Sequence, residues 1–311
     1  MEKTETDDMI DLGVEALQKG RIDQARTIFF QVLQRDSDNP DGHHHLGLID
    51  MNAGNLHEAE RSFRAAIKAC DDRLAKGVAG VFTGRAKARS LHSLSLVMRR
   101  LERRSEAVIL LEELLRTDER DGLGGRYILA EEYHRMGKIG RAMRMYREQV
   151  EDPGSRFLLA LALIQKKVTP AEIGRALLRA FERNRYLAPI LLGESYTELD
   201  KHSDNREGVE WGAESAASSV DLWKQTASAL PMMREWWRHK RVVEWRAMLD
   251  TIARMYVNVA QLEARAAERN GREILIPNES IEIRGTFYEL RRILVSSEYI
   301  DLLVRTVLGI V

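Results

Sequence analysis

The chain has 311 residues, of which 44% are hydrophobic and 31% are charged, enough to bury a sizeable core in one extended or two compact domains. Its 48 lysines and arginines balance 48 aspartates and glutamates, which removes any global electrostatic case for a nucleic-acid or membrane partner. The acidic start lacks the features of a secretory signal, and no stretch reaches the roughly 18 apolar residues of a membrane span, so a cytoplasmic location is expected.

An internal repeat organises the first half of the chain. Residues 11–33 realign with residues 45–67 at an offset of 34, and further copies cover 92–115 and 127–150. The connection before the third copy is longer than the other two. The first two copies match at Leu12 and Leu46, Gly13 and Gly47, Gly20 and Gly54, Ala25 and Ala59, and Phe29 and Phe63.

Each copy predicts two antiparallel helices, because small and large residues alternate where a helical seam would need them. A small residue in the first helix allows close approach, and an alanine followed four positions later by a large residue fills the seam from the second. No single pair can bury its apolar face alone, so the pairs must stack. The small residues are Gly13, Gly47, Ser95 and Ala130, and the large ones are Phe29, Phe63, Leu111 and Tyr146.

The period, the glycine turn and this small-to-large pattern resemble the tetratricopeptide-repeat (TPR) family over residues 8–150, and more loosely to about residue 190. The resemblance implies an all-α fold, a right-handed α-solenoid of helical hairpins. This sequence lacks the tryptophan that the family usually has early in the first helix, since His43 stands at that place in the second repeat.

A fifth, atypical pair follows residue 150. Two helical patterns are split at Thr169, which is a suitable cap before Pro170 at the first helical position. The next stretch resembles the carboxy-terminal repeats of the suppressor-of-tumorigenicity-seven family and of bacterial TPR proteins with the same tail. That resemblance implies another repeat-like helical pair and no known catalytic residue. It depends on Asn184, Tyr186, Pro189, a leucine pair and Trp223.

The last segment has a different residue pattern. Apolar residues at helical spacing predict one long amphipathic helix over 238–271, ending at Gly271. Weak alternation predicts a small β-hairpin over 273–284, and the remainder to residue 311 predicts one or two helices. The chain therefore divides into a TPR-like solenoid at 1–193, an irregular helical pair at 194–237 and a helical extension at 238–311. The repeats of the solenoid are expected near residues 8–40, 41–75, 86–120, 121–152 and 155–190.

Repeat solenoids commonly bind ligands on the face formed by the first helices. Apolar positions dominate the amino-terminal half of this face, whereas His, Arg and Tyr dominate the later half, which suits a peptide or amphipathic helix with hydrophobic anchors followed by acidic groups. The alternative is that some of the apolar side chains pack under the end of the solenoid. The predicted groove residues are Ile10, Val14, Leu17, His44, Leu48, Met51, Asn52, His92, Leu96, Arg99, Arg100, Tyr127, Glu131, His134 and Arg135.

Three consecutive histidines, His43 to His45, open the second repeat just after Asp41, a suitable helix cap. Neighbours on a helix point about 100° apart, so the three cannot share one metal ion. We expect His43 to pack, His44 to face the groove and His45 to lie on the flank. A metal ion or a pH response near 6 to 7, shared by His44, His92 and His134, is the alternative to plain groove lining, and no metal is predicted.

A basic stretch at 73–104 suggests a second function. Arginines on adjacent helices can track a phosphate backbone, so an RNA-associated regulator is the alternative function. Against it, interleaved aromatic residues are lacking apart from Phe82, and the pattern of a nucleotide-binding P-loop is not met. The basic residues are Arg73, Lys76, Arg85, Lys87, Arg89, Arg99, Arg100, Arg103 and Arg104.

Five tryptophans fall between residues 211 and 245, where core packing is the default expectation. Adjacent Trp236 and Trp237 cannot both face one core, so one of them should lie at a helix interface or on the surface. A protein contact is the alternative for this cluster, including a homo-oligomer formed through the carboxy-terminal region.

Catalysis finds little support in the sequence. No catalytic motif occurs, no cofactor is expected, and the lone cysteine, Cys70, cannot form an intrachain disulfide. The sequence therefore predicts a non-catalytic adaptor or scaffold that binds another protein in the groove.

Overall fold

The computed structural model describes residues 5–77, 81–196, 208–270 and 278–310. In those residues the chain forms sixteen α-helices and no strand. The helices are α1 (Glu5–Gln18), α2 (Ile22–Arg35), α3 (Pro40–Asn52), α4 (Leu56–Ala75), α5 (Val81–Arg100), α6 (Arg104–Thr117), α7 (Gly125–Arg135), α8 (Ile139–Glu148), α9 (Pro153–Gln165), α10 (Pro170–Arg183), α11 (Leu187–Leu192), α12 (Val209–Gln225), α13 (Ala229–Arg238), α14 (Lys240–Asn270), α15 (Asn278–Leu294) and α16 (Ser297–Val307).

Consecutive helices pack as pairs, as the repeats predict. α1 packs on α2, α3 on α4, α5 on α6, and α9 on α10. Each pair also contacts the next through its second helix, since α2 packs on α3, α4 on α5 and α6 on α7. The predicted all-α solenoid of stacked helical hairpins is therefore confirmed.

The chain divides into two compact units, Met1–Arg141 and Ala142–Val311. The boundary falls inside α8, within the fourth predicted repeat. The domain bounds expected after residues 193 and 237 stay predictions.

The seam between paired helices has the close packing that the repeat pattern predicts. A Cβ atom added to Gly13 would lie 2.6 Å from the ring of Phe29, and one added to Gly47 would lie 2.7 Å from the ring of Phe63. Both phenylalanines are fully buried. Glycine in the first helix is therefore what allows the aromatic ring of the second helix to sit against its backbone.

The long connection before the third repeat is mostly helical where it is described. α4 and α5 each have 20 residues, compared with 13 in α3 and 14 in α6. The extra residues therefore lengthen two helices that pack against each other, and residues 78–80 between them lie outside the described residues.

Two helix starts show how side chains set the element boundaries. Thr169 and Glu172 form a reciprocal capping box at the start of α10, with Pro170 at the first helical position, as predicted. The expected cap at Asp41 is wrong. Asn39 caps α3 instead, because its side-chain oxygen accepts a hydrogen bond of 2.9 Å from the Gly42 amide and Pro40 fills the first helical position.

The carboxy-terminal segment is helical where it is described. The predicted long helix is present as α14, and two further helices, α15 and α16, follow it. The β-hairpin expected at 273–284 is wrong over residues 278–284, which belong to α15, and residues 271–277 lie outside the described residues. Weak alternation over a few residues did not outweigh the helical pattern that follows it.

Both adjacent tryptophans of α13 are buried, because helices cover it on more than one side. Trp236 is 5% exposed and lies against Gly174 of α10, whereas Trp237 is 7% exposed and meets the Phe181 ring edge-on at 5.0 Å. The Arg246 guanidinium stacks 3.3 Å from the Trp237 ring. Both rings contact α10, and Trp237 also contacts α14, so both tryptophans lie at helix interfaces and the alternative of a surface position is wrong.

None of the helices in the described residues combines the length and the apolar character that crossing a lipid bilayer requires.

Candidate functional site

The predicted groove residues all belong to the first unit and lie on α1, α3, α5 and α7. α3 packs against α2, α4 and α5, so beyond its first turn only a narrow stripe of it reaches solvent. That stripe runs at helical spacing through Asp41, His45, Leu48 and Asn52. We call the solvent-facing residues of α1, α3, α5 and α7 the first-helix face.

On α1 the predicted residues are only half exposed. Ile10, Val14 and Leu17 are each intermediate in burial, and Val14 and Leu17 pack against the cluster that contains Phe29 and Leu46. The alternative that apolar side chains pack under the amino-terminal end therefore holds in part for Val14 and Leu17.

On α3 the predicted residues separate into buried and exposed ones. Met51 is 8% exposed and packs with Leu94 and Met98 of α5, so the expectation that it lines the groove is wrong. Met51 lies on the side of α3 that faces the next repeat, and α5 of that repeat covers it. Leu48 is half exposed and Asn52 is exposed, as a ligand contact requires.

The three histidines occupy different places from those expected. His43 donates from Nε2 to the Ser37 carbonyl at 2.9 Å in a half-exposed position, so it does not pack in the seam. His44 is 4% exposed, so it does not face the groove. His45 stacks on the ring of Phe29 with the centroids 4.8 Å apart and remains half exposed, which puts it on the first-helix face.

Burial determines the charge of these histidines. It lowers the pKa of His44 to about 3, and the nearby cationic groups of His45, Arg89 and His92 act in the same direction. Burial also lowers the pKa of His45 and of His92. His44 therefore stays neutral in the folded protein at pH 6 to 7, so it is not the pH sensor of the alternative hypothesis. In the part of the chain that the structure describes, no three His, Cys, Asp or Glu side chains are grouped to hold a metal ion.

On α5 an exposed stripe continues along the face. His92 and Leu96 are half exposed, as contact with a ligand requires. Arg100 is exposed and donates from Nη1 to the Met51 carbonyl at 3.1 Å, which ties α5 to the end of α3. Arg89 and Arg85, one and two turns before His92 respectively, belong to the same stripe. The prediction left these two out because repeat superposition began at His92, although the spacing of four residues could have identified them.

On α7 the face is largely covered. Glu131 is 8% exposed and His134 is 2% exposed, so neither projects into a groove. Tyr127 is 43% exposed. Arg135 is half buried and its Nη2 lies 2.8 Å from Glu131 Oε1. Among the four predicted residues of this helix, Tyr127 is the one suited to contact a ligand.

A buried carboxylate joins α5, α6 and α7. Glu132 is 0% exposed and its Oε1 accepts a 2.6 Å hydrogen bond from Arg99 Nε, while its Oε2 lies 3.1 Å from Arg104 Nη1. Arg99 Nη2 also lies 3.2 Å from Glu131. The positive charge predicted at Arg99 is therefore matched within the protein and is not available to a ligand.

Most of the basic stretch is paired in the same way. Besides Arg99 and Arg104, which contact Glu132, four basic residues in the described part of the stretch form ion pairs. Arg73 pairs with Asp36, Lys87 with Asp71 and Glu113, Arg89 with Asp41, and Arg103 with Glu60 and Glu106. In the described residues no ion pair involves Lys76 or Arg85. Because paired arginines cannot release counterions from a phosphate backbone as free ones do, this geometry does not favour the RNA alternative.

Three solved structures have a similar arrangement of helices. One is YrrB, described as a TPR protein with an unusual peptide-binding site, with 17% identity over 56% of this chain and 84% of that chain and a TM-score of 0.46. The MamA protein has 17% identity over 62% of this chain and 98% of that chain, with a TM-score of 0.47. PilF of Pseudomonas aeruginosa has 15% identity over 74% of this chain and 97% of that chain, with a TM-score of 0.29. No protein-family description and no curated protein sequence matches the chain.

The helix pairs and the glycine seams against Phe29 and Phe63 fit the 34-residue sequence pattern that resembles TPR repeats. The first unit, Met1–Arg141, is a TPR-like stack of helical hairpins. The likeness of its carboxy-terminal repeats to the suppressor-of-tumorigenicity-seven family stays a prediction. On the first-helix face, Leu48 and Leu96 are half-exposed apolar residues, and the residues around them are polar.

The lone cysteine of the solenoid should be unreactive. Cys70 is fully buried on α4, and burial raises the pKa of its thiol to about 11. Since the thiolate is the reactive form, we expect iodoacetamide at pH 8 to alkylate Cys70 slowly in the folded protein and rapidly in urea. Mass spectrometry of the intact protein measures this, and equal rates in the two conditions would contradict the burial.

Proposed function

We propose that this chain is a non-catalytic scaffold that binds a peptide or helix of another protein on the first-helix face. The observation that supports it is a repeated apolar position. Leu48 on α3 and Leu96 on α5 stand at equivalent places in consecutive repeats, and both are half exposed on helices that contact each other. Two such side chains in register suit the apolar anchors of an extended or helical ligand.

Polar groups around this pair extend the proposed contact surface. Asn52, Arg100 and Tyr127 are exposed on α3, α5 and α7. Arg85 is exposed and has no ion pair within the described residues, so it adds unmatched positive charge to the face. We therefore propose that acidic groups of the ligand meet Arg85 and Arg100, and not the paired Arg99 and Arg135.

Shortening the two leucine side chains should weaken this binding. We expect Leu48→Ala with Leu96→Ala to weaken a peptide ligand at least tenfold, because the loss of two half-buried apolar contacts removes about 2 kcal/mol. Partners captured from native lysate and identified by mass spectrometry supply the ligand, and calorimetry with a synthetic peptide from the bound region measures its affinity.

The matched control removes an apolar side chain elsewhere in the same unit. Ile109 on α6 is 59% exposed and lies outside the first-helix face, so Ile109→Ala should leave the affinity unchanged. Equal affinity of the double variant and the wild-type protein would reject the proposed face. An Arg85→Glu and Arg100→Glu variant that loses RNA but no peptide would favour the alternative RNA function instead.

A further inference from the structure

A pocket of about 230 Å³ in the second unit is lined mainly by arginines. It lies among α8, α9 and α10, and its cationic side chains are Arg147, Arg156, Arg175 and Arg179. Glu172 is the carboxylate that lines it. Four cations against one anion leave a strongly positive lining.

Two of these arginines have little or no matching negative charge. Arg147 is exposed on α8 and forms no ion pair with any described residue. Arg175 Nη1 lies 3.0 Å from Asp301 of α16, but the two side chains are 46% and 45% exposed. An exposed pair of this kind contributes little and exchanges readily with another anion.

The other two arginines bind neutral acceptors. Arg156 donates from Nε to the Val150 carbonyl at 2.9 Å. Arg179 donates to the Val295 carbonyl, and its Nη2 lies 3.2 Å from Ser297 Oγ. These contacts fix the orientation of both guanidinium groups without cancelling their charge.

The carboxylates in and near the pocket have other partners, although Glu172 also interacts electrostatically with Arg175 and Arg147. Glu172 accepts hydrogen bonds from the Thr169 amide at 3.2 Å and from Thr169 Oγ1 at 2.7 Å in the capping box. Glu182 lies 3.4 Å from Arg291 Nη2, and Glu151 pairs with Arg183. The positive charge of the lining is therefore only partly offset from within the protein.

Besides burial, the repulsion between neighbouring cations contributes to the lowered pKa of Arg156. Burial lowers the pKa of Arg156, and the charges of Arg183 and Arg179 lower it further, while Glu182 and Glu151 act in the opposite direction. Cations held together in this way are stabilised by an anion that binds between them.

The floor of the pocket is apolar. Leu159 and Leu163 of α9 are 8% and 7% exposed, and Ala176 of α10 lies beside them. A ligand that fits must therefore place an anionic group at the guanidinium rim and an apolar group on the leucines. No aromatic side chain is among the lining residues, so the stacking that nucleic-acid bases use is lacking.

We propose that this pocket binds a phosphorylated serine or threonine of a partner peptide that has an apolar residue next to it. A phosphate monoester carries about 1.5 to 2 negative charges at pH 7 and three acceptor oxygens, so it matches several guanidinium groups better than one carboxylate does. The site is independent of the first-helix face, because none of its residues belongs to the first unit.

The test uses the full chain and a labelled peptide pool with a central phosphoserine flanked by leucine or alanine. Fluorescence anisotropy should show binding at least tenfold tighter than for the same pool with serine, with the glutamate pool in between. Inorganic phosphate should compete with the phosphorylated pool. The variant Arg147→Glu should weaken binding of that pool at least tenfold.

The control is Arg144→Glu, which makes the same charge change at another exposed position of α8 outside the pocket. It should leave the affinity within about twofold of wild type. Arg156→Gln, checked by circular dichroism for folding, gives a second loss variant from another helix.

Several results would overturn the proposal. These are equal binding of the serine, glutamate and phosphoserine pools, an unchanged affinity in Arg147→Glu, and an equal loss in Arg144→Glu. Binding to phosphatidic acid vesicles without binding to the phosphorylated pool would assign the phosphate to a lipid and reject the peptide. The double variant at Leu48 and Leu96 should bind the phosphorylated pool as wild type does, so failure of either site is recognised separately.

Discussion

We expect a fall in pH from 7 to 4 to destabilise this protein, and the variant His44→Gln to lose much less stability over the same interval. His44 is 4% exposed between α3 and α5, with Nδ1 3.1 Å from Ser90 Oγ. Burial lowers its pKa from 6.5 to about 3, because the imidazolium ion would lose its hydration there.

The sign of the effect follows from proton uptake. Below pH 6.5 the unfolded chain protonates His44, whereas the folded chain does so only near pH 3. Stability from this group is therefore complete above pH 6.5 and declines as the pH falls, by about 1.4 kcal/mol per pH unit. Between pH 6.5 and 4 the loss amounts to about 3 kcal/mol. His45 and His92 add to it, since burial lowers the pKa of each.

Urea denaturation at pH 7 and pH 4, followed by circular dichroism, measures the difference between wild type and His44→Gln. Acid also protonates carboxylates, but that contribution is common to both proteins and cancels in the comparison. The matched control is His57→Gln on the exposed side of α4, which should keep the pH dependence of the wild type. An unchanged pH dependence in His44→Gln would show that His44 is hydrated in the folded protein.

The helix pairs were predictable because their signal is repeated. The offset of 34 residues aligns Gly13 with Gly47 and Phe29 with Phe63. The same combination of a glycine in the first helix and a phenylalanine in the second therefore occurs in both repeats. The close contacts at both seams confirm that rule. The helical hairpins therefore followed from spacing alone, without any knowledge of distant contacts.

The exposed side of the first helices was harder to predict. Superposition of the repeats identifies equivalent residues, but a helix flanked by three others exposes a stripe only about 100° wide. Successive residues are also about 100° apart, so an error of one residue in the superposition exchanges a buried side chain for an exposed one. His44 and His45 differ by one position, and the first is buried while the second reaches the face. Met51 was covered by the next repeat in the same way.

Charge pairing across repeats could not be read from the sequence. Arg99 meets Glu132 from 33 residues away, and Arg89 meets Asp41 from 48 residues away. A basic stretch therefore lacks negatively charged partners when only its neighbours in the sequence are considered. The pairing depends on the rotation of each helix about its axis, which the repeat pattern leaves undetermined.

The second unit should be most sensitive to added volume at Gly174. A Cβ atom there would lie 2.1 Å from Cη2 of the Trp236 ring, well inside contact distance. The ring is 5% exposed and packed between α10 and α13, so it cannot move into solvent. We expect Gly174→Ala to lower the free energy of unfolding by about 1 to 3 kcal/mol, although alanine favours the helix.

Tryptophan fluorescence during urea denaturation reports this change, because all five tryptophans lie between residues 211 and 245 in the second unit. The control is Gly285→Ala on α15, where an added Cβ meets nothing within 4 Å. That substitution should leave stability unchanged or raise it by up to about 1 kcal/mol.

A double-mutant cycle separates the clash from other effects of the substitution. Trp236→Leu costs stability by itself, since a buried aromatic ring is removed. In that background the space beside Gly174 is open, so adding Gly174→Ala should cost nothing further or stabilise α10. If alanine at position 174 costs the same with tryptophan and with leucine at position 236, the ring is not the reason that this helix position requires glycine.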